Sequence, residues 1–243
     1  MTHRPRPGTP LLILPLLAVV LTCATGAAAQ VTDYVDDVEG EHPRLFITPQ
    51  RMAALREAVK QTDSFHQRVF KVIQARVDRG DWRAYHGPAN NARAAMAREA
   101  AMIFQITNDP RYAELAYETL MTIANSPRDR GRIDAGNGLH RAAVGMGFAI
   151  TYDWCYPGWT NAQRQAVRDQ IIAGLEAWPE YGHGNFGGDM VSHWVPICRG
   201  AELIMILATY EDVYVPDRYE TLIDWLTRHI TNAYSPTGMS QEG

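Results

Sequence analysis

The sequence predicts an all-α chain folded as a toroid or solenoid of two-layered helical hairpins. Three observations lead there. No segment alternates apolar and polar residues long enough for a strand. Helices that are apolar or small nearly all round alternate along the chain with helices that are apolar on one face only. Short turns alternate with longer connections in the same rhythm, so each buried helix turns straight back into a surface helix.

The elements follow in order. Thr48 before Pro49 is a helix start, with a capping hydroxyl ahead of proline at the first helical position. From there helices are expected at 49–60, 64–79, 91–107, 110–124, 138–154, 161–178, 194–210 and 216–233. Residues 110–124 place Tyr112, Leu115, Ala116, Thr119, Leu120 and Ile123 on one stripe. Residues 216–233 do the same with Tyr219, Leu222, Ile223, Leu226 and Ile230, and 161–178 more loosely with Val167, Ile171, Leu175 and Trp178. These are surface helices. Residues 91–107, 138–154 and 194–210 are the buried ones, as in Leu203-Ile204-Met205-Ile206-Leu207-Ala208. The longer connections (80–90, 125–137 and 179–193) all feed the N-termini of buried helices, so the site is expected at that end.

The first 29 residues read as an export signal. Arg4 and Arg6 precede the apolar run Leu11–Leu21, and Ala27-Ala28-Ala29 offers a signal peptidase its small-x-small pattern. The run is shorter than the roughly 20 residues a spanning helix needs. Cleavage before Gln30 would leave 214 residues, an acidic, loose stretch over 30–41, and a periplasmic or secreted product without a membrane segment. It would also remove two arginines and no acid, taking the net charge from −4 to −6. A sequence-independent nucleic-acid binder would show a basic excess instead. Cys155 and Cys198 would remain. The hairpin pattern puts Cys198 about 18 Å from the end of its helix where Cys155 would lie, at 1.5 Å per residue. A disulfide needs Cα atoms within about 7 Å, so two free thiols are expected.

Several segments carry candidate chemistry. Gly182-His183-Gly184-Asn185-Phe186-Gly187 matches G-x-G-x-x-G, but it follows a helix rather than a strand, so the dinucleotide reading fails. Residues 181–193 read better as a polar lip carrying Tyr181, His183, Asn185, Asp189, Ser192 and His193 among glycines that let backbone approach a ligand. His193 stands where a buried helix begins, positioned either to bind an anion with help from the helix dipole or simply to cap the helix. His140 and Arg141 occupy the equivalent place one hairpin earlier, to hold a carboxylate or to be satisfied by the return loop. Arg199 and Glu202 stand three apart on an apolar helix and read as a structural pair. No two His or Cys stand at metal-ligand spacing on one helix face, and no motif calls for a cofactor.

A family resemblance emerges from these residues. His42-Pro43-Arg44-Leu45-Phe46-Ile47-Thr48-Pro49 resembles the opening of the heparinase II/III-like and oligo-alginate lyase families. The stretch from Gly187 through Ser192-His193-Trp194 to Ala208-Thr209-Tyr210-Glu211-Asp212 resembles their central substrate-binding helix, and Thr237-Gly238-Met239-Ser240-Gln241-Glu242-Gly243 their D-G-x-x-x-E-G loop. The resemblance implies an (α/α) toroid, incomplete at the C-terminus of this chain, and β-elimination of a uronate-containing polysaccharide. It implies that His193, with Ser192 as the alternative register, neutralises the uronate carboxylate. Developing enolate charge is what such preorganised donors stabilise. Gln241 and Glu242 match the loop before the family's catalytic Tyr, which would lie beyond Gly243, so the chain alone is expected to be inactive. Two other readings stand beside the lyase. One is a toroidal glycoside hydrolase using Asp189 and Glu242 as its two carboxylates. The other is a non-catalytic glycan-binding domain with Trp82, Tyr85 and Trp194 as aromatic platforms.

Overall fold

A computed structural model of the chain describes residues 41–85, 87–127, 132–135, 138–182, 194–210 and 222, within a compact unit spanning Gly40–Gly243. Among the described residues every regular element is helical. They are α1 (Pro49–Lys60), α2 (Phe65–Asp78), α3 (Ala89–Thr107), α4 (Pro110–Ala124), α5 (Gly138–Cys155), α6 (Asn161–Gly182) and α7 (Trp194–Ala208), with 3-10 turns at Trp82–Ala84 and Tyr156–Gly158. None of these helices is long and apolar enough to cross a membrane. The expected helix over 216–233 lies outside the described residues, apart from a buried helical Leu222.

Local chemistry sets most helix ends. Thr48 caps α1 by accepting from the Arg51 amide at 3.2 Å, with Pro49 as the first helical residue. Asn108 ends α3 in the left-handed conformation at φ 58°, where its amide reaches Phe104 O at 2.7 Å. One residue later Asp109 caps α4 through the Arg111 amide at 3.0 Å, again ahead of a proline. Thr160 and Gln163 exchange hydrogen bonds at the start of α6 as a capping box. That helix runs four residues past its expected end, through Pro179 to Gly182. Proline removes one backbone donor, and the helix continues beyond that single loss.

The one-faced helices and α5 bury the residues their periodicity predicts. The other two helices expected to be buried all round do not: α3 keeps a half-exposed stripe, and α7 leaves Leu203, Ile204 and Leu207 half-buried and Ile197 exposed. α4 buries Tyr112, Ala116, Thr119, Leu120 and Ile123 on one side, and α6 buries Val167, Ile171 and Leu175. α5 is buried almost continuously from Arg141 onward. α3 packs against α4 and α5, and α5 packs in turn against α7. These three helices run parallel, because their contacts ascend together. Asn91 of α3 meets His140 of α5, Ala94 meets Gly147, and Gln105 donates to Trp154 O at 2.5 Å. On the other flank, a Cβ built on Gly138 would stand 3.1 Å from Cys198 Sγ, and one on Gly145 2.8 Å from Met205 Sδ. The N-termini of α3, α5 and α7 therefore share one end. Cys155 and Cys198 are both free. Cys198 lies beside the first residue of α5 and Cys155 is its last, about 25 Å apart along the axis at 1.5 Å per residue.

The segment ahead of α1 is held by a buried carboxylate far away in sequence. Asp153, with no exposed side-chain surface, accepts from the Arg44 amide at 3.0 Å, the Leu45 amide at 2.8 Å and His42 Nδ1 at 2.7 Å. Arg44 Nη2 lies 2.6 Å from His42 Nε2, which fixes His42 as the tautomer carrying its proton on Nδ1. His42 also stacks on Tyr156 with ring centres 3.8 Å apart. Next door, the Trp154 indole donates to Leu45 O at 3.0 Å. Leu45 is thereby buried while Phe46, at φ 62°, is turned outward and 60% exposed.

Candidate functional site

The shared end of the parallel helices carries His140 and Arg141, side by side in sequence and unlike in environment. Arg141 is 1% exposed. It donates from Nε to Ile133 O at 3.3 Å and from Nη2 to Gly174 O at 3.5 Å. It thus ties the loop ahead of α5 to α6. The fit is close there, because a Cβ on Gly174 would come within 2.6 Å of the Ile133 side chain. Arg199 and Glu202 form their pair at 2.7 Å on the first half of α7. Burial raises the Cys198 thiol pKa, against the lowering influence of Arg199 and Arg141.

His140 is half-buried, and its Nδ1 lies 3.0 Å from Asn91 Nδ2 on the neighbouring helix. The other end of that amide, Oδ1, is buried and has no hydrogen-bond partner among the described residues. Whichever way the amide is turned, one end faces His140 and the other is left unmatched. Buried polar groups are normally satisfied, since leaving one unmatched costs about 1–3 kcal/mol.

Asn91 begins a half-exposed stripe on α3 that continues at helical spacing through Ala95, Arg98, Glu99 and Met102. Alongside Ile150 and Trp154 of α5, the later members of that stripe, Ala95, Arg98, Glu99 and Met102, line a cleft of about 450 Å³, whose walls also include Phe46 and Tyr85. Glu99 is bound by two neighbours, taking hydrogen bonds from the Arg76 guanidinium and the Tyr85 hydroxyl. The Arg76 guanidinium also covers the Tyr85 ring at 4.3 Å. Burial, and then the bond to Glu99, push the Tyr85 phenol pKa well above its ordinary value. At neutral pH Tyr85 is therefore a donor, not a base. Arg98 makes no hydrogen bond or ion pair among the described residues. Burial lowers its pKa, with the Glu99 charge working the other way.

The aromatic platforms expected at this end differ in availability. The Trp82 ring already carries the guanidinium groups of Arg83 at 4.7 Å and Arg93 at 4.4 Å. Tyr85 is committed to Glu99, and the Trp194 side chain lies outside the described residues. So do His183, Asn185, Asp189, Ser192, His193, Gln241 and Glu242. Asn91, Arg98 and the Asp153 cluster escaped the sequence reading. Each had a signal, as a polar or charged residue on a helix otherwise apolar or small nearly all round. No family model matches the chain, and no curated protein matches it either.

Proposed function

We propose that the chain is an exported polysaccharide lyase, or part of one, built on an (α/α) toroid and cleaving a uronate-containing glycan by β-elimination. The observation that carries this reading is the Asn91–His140 pair at the shared helix end, with its unmatched amide end. A sugar ring offers hydroxyl groups that both donate and accept, so it can satisfy that amide once the Asn91 side chain, whose Oδ1 is closed to solvent, turns toward it. The parallel, register-matched α3, α5 and α7 support the toroid. The family resemblance supplies the reaction class.

In this reaction a base removes the C5 proton of the uronate. The electron pair forms the C4–C5 double bond, the C4–O bond breaks, and the leaving oxygen takes up a proton. The enolate that develops needs donors already in place around the carboxylate. His193, with neighbouring Ser192, fills that role in this proposal. His183, Asn185, His140, Gln241 and Glu242 are the substrate-binding residues of this proposal, with Asn91 beside His140. Arg141 holds the loop ahead of α5 in position.

Ultraviolet absorbance of the unsaturated product tests the reading, on heparan sulfate, alginate and chondroitin. It is read for this chain and for one extended through the adjoining reading frame. Reducing ends without that absorbance would mean hydrolysis. Binding without either product would mean a glycan-binding domain. Asn91→Ala sharpens the test, because it removes an unmatched buried group together with a ligand contact. The expected result is glycan binding weakened at least about 10-fold, with stability within about 0.5 kcal/mol of the parent. A large loss of stability in thermal melts, with binding intact, would make Asn91 a packing residue and remove the main support for the site.

A further inference from the structure

We propose that the cleft walled by Phe46, Tyr85 and Trp154 binds a carboxylate carried on a ring, with Arg98 as its anion contact. The proposal is independent of the lyase reading. The cleft's volume of about 450 Å³ falls within the roughly 300–1,000 Å³ typical of small-ligand sites.

Charge comes first. Among the described residues the cleft holds one carboxylate, Glu99, whose oxygens are taken by Arg76 and Tyr85. Arg98 stands beside them on the same stripe, half-buried and without a hydrogen bond or ion pair among the described residues. The three charged groups sum to one positive charge. The Arg98 guanidinium is still reached by water and has no protein acceptor among the described residues, so a carboxylate can accept from its fork in two parallel bonds. A compact anion alone would leave the rest of the cleft unfilled.

The walls specify that rest. Phe46 stays 60% exposed and sits at φ 62°, a backbone conformation that bulky side chains rarely adopt. Its neighbours hold it there: the Leu45 amide on Asp153, and Leu45 O on the Trp154 indole. A ring-bearing ligand stacked on this fixed phenyl ring would cover it. Both sugar rings and aromatic rings offer a flat apolar face, so glucuronate-type and benzoate-type acids share the required chemistry.

Titration of the full chain with glucuronate, benzoate and uncharged glucose, followed by calorimetry or ligand-observed NMR, tests the assignment. At least one of the acids should bind with Kd on the order of 1 mM, as suits a ligand of so few atoms, and glucose should not. Stronger binding of glucuronate would identify a sugar acid, and stronger binding of benzoate an aromatic acid. Arg98→Met should weaken binding at least about 10-fold, and Arg98→Lys by less, since it keeps the charge but loses the fork. In the parent chain, the bound acid should also protect Arg98 from an arginine-modifying dicarbonyl reagent mapped by mass spectrometry, a readout that needs no variant. Failure of both acids to bind, equal binding by a well-folded Arg98→Met, or unprotected Arg98 at saturation would each overturn the proposal.

Discussion

Replacing Asp153 by alanine is expected to cost about 3–5 kcal/mol of folding free energy, a large share of the roughly 5–15 kcal/mol available to a domain. The side chain is fully buried and accepts from two backbone amides and one imidazole. Alanine would leave those donors buried without acceptors and would free the His42–Arg44 pair from its counter-charge. Asp153→Asn keeps the shape but turns an amino group toward donors, so about half that loss is expected. Urea unfolding followed by tryptophan fluorescence checks both. The midpoints should fall in the order parent, asparagine, alanine. The carboxylate site at Arg98 should weaken in parallel, because Phe46 is held through the same segment. Unchanged midpoints would mean that the 42–46 segment is held by its ring stacking on Tyr156 instead.

The parts of this architecture that were legible in the sequence rest on short-range chemistry. Thr48-Pro49 and Thr107-Asn108-Asp109-Pro110 contain their capping groups within four residues, so the helix ends could be read directly. Single-sided stripes such as Tyr112 to Ile123 depend only on the helical period. The passage of α6 through Pro179 was not legible, because proline ordinarily marks a helix end, although it removes only one backbone donor. The Asp153 cluster spans 108 or more residues between partners, and no local pattern reports a separation of that kind. What the sequence did contain was a carboxylate between Tyr152 and Trp154 in an apolar helix, and such a group must be paired if buried. The Arg98 cleft was hidden for a related reason. Arg98 and Glu99 are adjacent charges on one helix, and their difference shows only once Arg76 and Tyr85, from separate elements, take up Glu99 alone.

The distance between α3 and α5 governs both candidate sites, and one glycine sets it. A Cβ on Gly147 would stand 2.6 Å from the Cβ of Ala94 and 3.2 Å from its Cα and carbonyl oxygen. Two of those three atoms are backbone, so a side chain can be accommodated only by moving a helix. Gly147→Val is therefore expected to cost about 2–4 kcal/mol, with overpacking outweighing the better helix propensity of valine. It should also draw Asn91 away from His140 and widen the Arg98 cleft, weakening glycan and carboxylate binding together. Gly200 provides the internal contrast. It lies within α7, and nothing stands within 4 Å of a Cβ built there. Gly200→Ala should stabilise the fold by about 0.5–1 kcal/mol through helix propensity alone. Urea unfolding of the two variants reads opposite signs if backbone contact at Gly147 fixes the spacing of α3 and α5. A valine tolerated at Gly147 to within about 0.5 kcal/mol would show that the helices are free to separate, and the spacing would then have to be set by the Gln105 bond to Trp154 O at the far end.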